Sequence, residues 1–406
     1  MGNKAPCLLM EILFVSHKYP PAVGGMEKQS FELIQGMKRF SKVHTIVYEG
    51  GESKLRFFWM LRKRILQTCR ENPGITAIHF NDGLMAAICA GHKGYEHLLR
   101  AVTLHGLEVV FPNRVYQRFI LPRFNRFDLI IAVSQATAEA CVQRGLSPEK
   151  VVVIPNGVDA ALAETVKRSD FLQSMATKYD LDVQGRHILV AMDRSVRRKG
   201  FSWFIQQVVP KLKGNVVFLM IGPFRRRPGG FEIFLRYLPT FLRNQIALFA
   251  GFPTDEATIR LLLERPEFQD KVRHLGKLPF EDIRQILAAA DAFVMPNIPI
   301  EGDMEGFGLV CLEACLCGAA VFASRIDGIT EAIHDGKNGV LLPAGDAEAW
   351  ANALNVQMEN TSTSVVRTDA AKSYTLDHFG WDKMAGDYWE QLKKLSGGSQ
   401  AARFGH

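Results

Sequence analysis

No run of about 18 uninterrupted apolar residues occurs in the chain, so no segment of it reads as a membrane-crossing helix. It also lacks a CxxC pair with matching histidines, which excludes the common zinc sites. Its seven cysteines are odd in number and scattered, with Cys311, Cys315 and Cys317 the one close group; reduced cytosolic thiols are the expectation. There is no repeat at solenoid period and no low-complexity block. The first residues, MGNKAPCLLMEILFVS, put Lys4 before an apolar run, but Glu11 interrupts it and no small-residue cleavage site follows. Pro6 stands where myristoylation wants Ser or Thr. Leu8 to Val15 reads instead as a first buried strand.

A chain of 406 residues exceeds what one core usually holds, so two domains are expected. Apolar runs with helical stretches between them fill the first part: EILFVS, VHTIVY, AIHF, AVTLH, LIIAVS and VVVIPN. The second part repeats the theme with HILVAM, VVFLMIG, VRHLG, AFVMPN, AAVFAS and GVLLP. Such alternation defines βα units, hence an α/β fold with parallel sheets covered by helices. The expected domains are 1–170 and 185–375, joined around Ala160 to Gly185, with a helix in 376–396 packing back on the first domain. Two features fall outside this scheme. The segment between Gly222 and Leu275 is longer than a simple crossover needs, and the Gly- and Ser-rich tail GGSQAARFGH is expected to fray.

Open α/β sheets bind ligands at the carboxyl ends of their strands, which directs attention to the residues following each run. After the first comes a loop with Gly24 and Gly25, where backbone N–H groups can approach a phosphate or sugar; a Gly pair is equally a plain turn. His105 ends another strand and is followed by Gly106, as a ligand-facing imidazole or as a structural hydrogen-bonder. Arg194 and Lys199 end the first strand of the second domain, where fixed cations can neutralise a diphosphate or simply form a solvated turn. The stretch EGFGLVCLEACLCG carries Glu305 and Glu313 in otherwise small or apolar company. Burying a carboxylate alone is costly, so partners or a ligand are expected. Gly306, Phe307 and Gly308 make the turn into a helix from Leu309; at about 100° per residue, Glu313 returns to within roughly 80° of Glu305. Two such carboxylates can hold hydroxyls of two sugars, or one can cap and the other pair with Arg.

In this order the motifs YPPAVGG, TLHGLE, DLIIAVSQAT, VIPNGVD, DRSVRRKG, HLGKLPFEDI, ADAFVMPN, EGFGLVCLEACLCG and DGITEAIHDGKNGVLL resemble the retaining glycosyltransferases of family 4 over nearly the whole chain. The resemblance implies the GT-B fold, two facing Rossmann-like doubly wound domains with an interdomain cleft. It implies that Glu305 meets the transferred sugar and steadies the positive character of the transition state, while Glu313 holds the ribose. Gly306, Phe307, Gly308 and Leu309 would contact sugar and phosphate, Arg194 and Lys199 the diphosphate, and Leu278 the base. Gly25 and His105 would line the sugar and acceptor side, with His105 grouped with Glu305 as catalytic. A front-face displacement follows, the leaving diphosphate helping to take the acceptor proton, with no metal or cofactor and no DxD pair placed to bind one.

The resemblance has departures. Where the family commonly has Gly-x-Pro and a Gly-Gly turn, this chain has GAA at Gly318 to Ala320 and DG at Asp327 and Gly328. The acidic loop NIPIEGDMEGFG is similar to a mannosyl-transferring subset, which favours GDP-mannose over UDP-sugars. The net charge of +7 fits an anionic partner. Lys54 to Ile65 and Asn113 to Phe127 interleave cations with aromatics, as an anionic membrane surface or lipid-linked acceptor would require, or as core aromatics with a solvated edge. The expected partners are thus a nucleotide-diphosphate sugar, a glycan or lipid-linked acceptor and such a surface, without nucleic acid, in the cytoplasm or on the inner membrane face. A nucleotide-sugar epimerase and a non-catalytic binder of anionic polymers are the alternatives.

Overall fold

The computed structural model describes residues 10–163, 177–224, 254–359 and 368–403. The chain divides into two units, Met1–Gly157 with Phe379–His406, and Val158–His378. In the first, β1 (Glu11–Ser16), β2 (Lys42–Val47), β3 (Ile75–Phe80), β4 (Leu99–Leu104), β5 (Leu129–Ala132) and β6 (Val151–Val153) form a sheet in the order β2-β1-β3-β4-β5-β6. In the second, β7 (His187–Met192), β8 (Val216–Ile221), β9 (Val272–Gly276), β10 (Ala292–Met295), β11 (Val321–Ser324) and β12 (Val340–Leu342) take the order β12-β11-β10-β7-β8-β9. All paired strands are parallel.

Each sheet reverses its direction of growth once, between β1 and β3 in the first and between β7 and β10 in the second. These are topological switch points, where neighbouring connections leave toward opposite faces and open a crevice at the strands' carboxyl ends. The central strands are buried on both faces, as Ile12, Leu13, Phe14 and Val15 in β1 and Val216 to Ile221 in β8 show. That double burial explains why the runs read as continuously apolar rather than alternating. All twelve expected runs are strands, with Leu8 and Leu9 outside the described residues.

In the first unit the helix Trp381–Arg403 packs on Gly25–Met37. Gly36 makes the approach possible, since a Cβ there would lie 2.6 Å from that of Ala385. The buried Tyr388 hydroxyl accepts from Gln29 Nε2 at 3.3 Å and meets Thr103 Oγ1 at 3.0 Å. The backbone stays helical through Gly397 and Gly398 to Arg403. A glycine costs a helix only about 1 kcal/mol relative to alanine, so two need not end one. The long segment after Gly222 lies largely outside the described residues, at 225–253, as do residues 360–367 of the polar stretch before the helix Thr368–His378.

Candidate functional site

The second unit concentrates charge at its switch point. β7 ends at Met192, and Asp193 and Arg194 lead into a short turn, Arg197–Lys199, before the helix Phe201–Gln207. Gly200 joins turn to helix at φ +66°, and a Cβ on it would lie 2.0 Å from the Pro296 carbonyl oxygen. Only glycine lets the two loops touch there, and the Ile298 N–H donates to the Arg198 carbonyl at 2.9 Å. Gly200→Ala is expected to lower stability by about 2 to 4 kcal/mol, through the left-handed backbone and the forced separation of the loops. A denaturant midpoint unchanged from wild type would contradict this contact.

β10 ends at Met295, and the loop 296–308 delivers Glu305 opposite that turn. Glu305 Oε2 accepts from Arg198 Nη1 at 2.6 Å, Lys199 Nζ at 2.6 Å and Asn297 Nδ2 at 3.2 Å. Among the described residues no donor reaches its Oε1. Lys199, 3% exposed at its side chain, also pairs with Asp193, and Arg198 Nε donates to Asp303 Oδ1 at 3.2 Å. The Glu305 backbone is pinned as well: its N–H donates to Asp327 Oδ2 at 3.1 Å and its carbonyl accepts from Gly328 at 3.0 Å. A side chain at position 328 would strike the Gly306 carbonyl, so the DG pair that departs from the family pattern still supplies the close approach.

Burial alone would raise the Glu305 carboxyl's pKa; the charges of Arg198 and Lys199, with hydrogen bonds from Lys199 and Asn297, reverse this and hold it well below its usual range. Asp303 and Asp327 are shifted upward, chiefly by burial and further by the Glu305 charge. The result is one carboxylate held ionised with a free lone-pair edge, beside two that give up their charge more readily.

Glu305 precedes the helix Leu309–Cys317, so the expected helical phase between Glu305 and Glu313 does not apply. Gly308, left-handed at φ +95°, starts the helix, and Glu313 is half-buried on it. Phe307 is buried, while Gly306 and Leu309 flank it in the turn. Lys199 meets Glu305 directly, whereas Arg194 is exposed and its side chain has no partner among the described residues. Leu278 is buried just beyond β9. Cys311, Cys315 and Cys317 are buried on the helix and joined in no disulfide. Arg198, Asn297, Asp193 and Asp303 were not singled out by sequence, and Asp327 was named only as a departure from the family pattern. The buried Asn297 Oδ1 has no hydrogen-bond partner among the described residues.

The first unit's switch point carries a second group. His17 follows β1 and Asp82 follows β3, with Nδ1 3.0 Å from Oδ2. Asp82 also accepts the Met85 N–H at 2.9 Å. Burial works to raise its pKa, but the His17 bond and nearby charge hold it below the usual value. His105 is half-buried; its Nε2–H donates to the Asn81 carbonyl at 2.9 Å and its backbone N–H to Glu108 at 2.7 Å. The Asn81 side chain is buried with neither amide atom partnered. Gly24 and Gly25 open the helix Gly25–Met37, and Glu27 in its first turn pairs with Lys18 at 3.3 Å. Among the described residues, no group of three or more His, Cys, Asp or Glu side chains is arranged to hold a metal.

The two parallel doubly wound units define a GT-B fold, and solved structures agree. Anabaena Alr3699/HepE in complex with UDP-glucose superposes with a TM-score of 0.71 over 95% of this chain and 100% of that one, at 22% identity. Sucrose-phosphate synthase from Thermosynechococcus elongatus gives 0.70 over 96% and 100%, at 19% identity. Residues 21–162 match the family model of Glycosyltransferase Family 4, and residues 186–360 that of Glycosyl transferases group 1. The chain belongs to glycosyltransferase family 4. It is 27% identical over 258 residues to D-inositol 3-phosphate glycosyltransferase of Pseudarthrobacter chlorophenolicus, covering 63% of this chain and 53% of that one. It is 26% identical over 302 residues to the GDP-mannose-dependent alpha-(1-6)-phosphatidylinositol monomannoside mannosyltransferase of Mycolicibacterium smegmatis, covering 74% and 70%. The chain spans about half the length of the first curated relatives it matches, 48% and 53% of two of them.

Proposed function

We propose that the protein is a retaining glycosyltransferase, moving a hexose from a nucleoside-diphosphate sugar to a glycan or lipid-linked acceptor in cell-surface polysaccharide or glycolipid synthesis. The observation that carries this reading is Glu305: an ionised carboxylate clamped through Oε2 by two cations and an amide, with Oε1 left to accept a hydroxyl. Lys199 has three N–H donors, of which Asp193 and Glu305 take two; in this reading the third donates to a phosphate oxygen. Arg194, exposed at the same strand end, supplies a second cation. In this reading these cations, and no metal, neutralise the diphosphate, Glu313 holds the ribose and Leu278 lies against the base.

In the transfer step the acceptor oxygen forms its bond to the anomeric carbon on the face from which the diphosphate oxygen departs. The acceptor proton passes to the departing diphosphate. The Glu305 charge stabilises the positive character of the sugar as the diphosphate bond breaks and before the acceptor bond is complete. GDP-mannose is favoured as donor over UDP-sugars on the acidic loop 297–304, and the GDP-mannose-dependent relative supports that preference. Structures bound to UDP and UDP-glucose support a nucleotide-sugar donor in general.

Thermal-shift titration with GDP, UDP and ADP tests the donor, since selective binding raises apparent stability by mass action. The largest shift is expected with GDP, and no shift with any of the three contradicts the reading. Arg194→Ala, an exposed change, is expected to leave stability within about 0.5 kcal/mol of wild type while weakening diphosphate binding about tenfold. Unaltered affinity would remove Arg194 from the site. The anomeric configuration of the product, read by NMR coupling constants, tests retention.

A further inference from the structure

The first unit presents apolar side chains to solvent in a strongly cationic setting. The helix Lys54–Glu71 buries Phe57, Leu61 and Ile65, spaced four residues apart. Leu55 and Trp59 fall on the opposite side and are 81% and 83% exposed. Further on, Val115 and Phe119 are 62% and 60% exposed, while Leu121, Phe124 and Phe127 are buried. Some aromatics of these segments are thus core, and others face water. Large apolar groups left in water at this spacing call for a partner.

Topology places the two segments on one face of the sheet, on either side of the β3 to β4 connection. The connections β2 to β3, β3 to β4 and β4 to β5 all advance across the sheet in one direction. Right-handed crossovers therefore lay them on one face, while the β1 to β2 connection lies on the other. Direct contacts agree: Arg62 donates to the Lys93 carbonyl and Arg126 to the Ala90 carbonyl, one from each side of the connection between them. Leu55 and Trp59 follow the end of β2, and Val115 and Phe119 that of β4, so all four lie toward the sheet's carboxyl edge. That edge carries His17 and Asp82, and Phe58, next to Trp59, meets the His17 ring edge-on at 5.8 Å.

Charge selects among partners. Residues 54–70 contain six Lys or Arg and no Asp or Glu, and residues 109–127 contain four Arg and no Asp or Glu. Arg56 and Arg64 are compensated by Glu52, but Lys54, Arg62, Lys63, Arg70, Arg114, Arg118 and Arg123 are exposed. Exposed Trp and Leu within a cationic field match the boundary of an anionic bilayer, where rings and aliphatic chains enter the headgroup layer and the cations meet lipid phosphates. A soluble polyanion would satisfy the cations and leave Leu55, Trp59, Val115 and Phe119 in water.

We infer that this face of the first unit docks on an anionic phospholipid surface, with Leu55, Trp59, Val115 and Phe119 inserted and the surrounding Lys and Arg on the headgroups. The inference goes beyond the donor site and is independent of transfer activity. Co-sedimentation with vesicles of phosphatidylcholine and phosphatidylglycerol, against phosphatidylcholine alone, tests it without any nucleotide sugar. The full chain is expected to partition at least tenfold more strongly onto the anionic vesicles. The double variants Leu55→Ser with Trp59→Ser, and Val115→Ser with Phe119→Ser, are each expected to lose at least tenfold in partitioning with Tm unchanged, since all four side chains are exposed. Vesicle binding that is equal in wild type and both variants, or absent in wild type, overturns the inference. Heparin binding without vesicle binding overturns it in favour of an anionic polymer.

Discussion

Glu305→Gln is expected to lower kcat by a few hundred- to a thousandfold, about 3 to 4 kcal/mol of transition-state stabilisation, while nucleoside-diphosphate affinity stays within about threefold of wild type. The exchange is nearly isosteric. The amide oxygen can still accept from Arg198, Lys199 and Asn297, so the loop keeps its place. What disappears is the negative charge facing the sugar, and an NH2 replaces the open Oε1 acceptor. A loss confined to kcat therefore separates the electrostatic role from donor binding, which the diphosphate contacts dominate. Wild-type kcat in this variant would remove Glu305 from the chemistry.

Lys199→Met is expected to cost about 3 to 5 kcal/mol of stability at neutral pH and to abolish measurable diphosphate binding. Met matches the length of the buried stem but carries no charge, leaving Asp193 and Glu305 with the half-buried Arg198 as their nearest cation. The pH dependence has a definite sign. In the wild type the Glu305 pKa lies below its unperturbed value of 4.5, so its stabilisation is full above that value and is lost as pH falls through the folded pKa, about 2. Removing Lys199 raises the folded pKa and shrinks this contribution. The stability gap between wild type and variant should thus be full near pH 7 and narrow as pH falls below about 4.5. Urea titrations at the two ends of that range would show it, and a gap that widens toward acid would contradict the assigned coupling.

The fold was legible because both sheets are parallel and buried on each face, which writes their strands as apolar runs. The order of strands was not legible. Nothing in AFVMPN announces that β10 lies beside β7 rather than beyond β9, yet that adjacency brings Asn297 and Glu305 to Arg198 and Lys199. Arg194 and Lys199 could be named from the motif, but the three cations in RRK look alike in sequence. Only the tight turn closed by Gly200 turns Arg198 and Lys199 toward Glu305 and leaves Arg197 exposed. Helical phase failed for Glu305 and Glu313 because Gly308 starts the helix after Glu305. Asp303 and Asp327 had one available signal: acidic residues on either side of a carboxylate already short of partners imply cations the motif alone does not count.

The most direct measurement is a crystal structure with a nucleoside-diphosphate hexose bound. The diphosphate is predicted within hydrogen-bond reach of Arg194 and Lys199, and a hexose hydroxyl on Glu305 Oε1. A donor seated away from the β7 and β10 strand ends, with the Glu305 cluster untouched, would contradict the account.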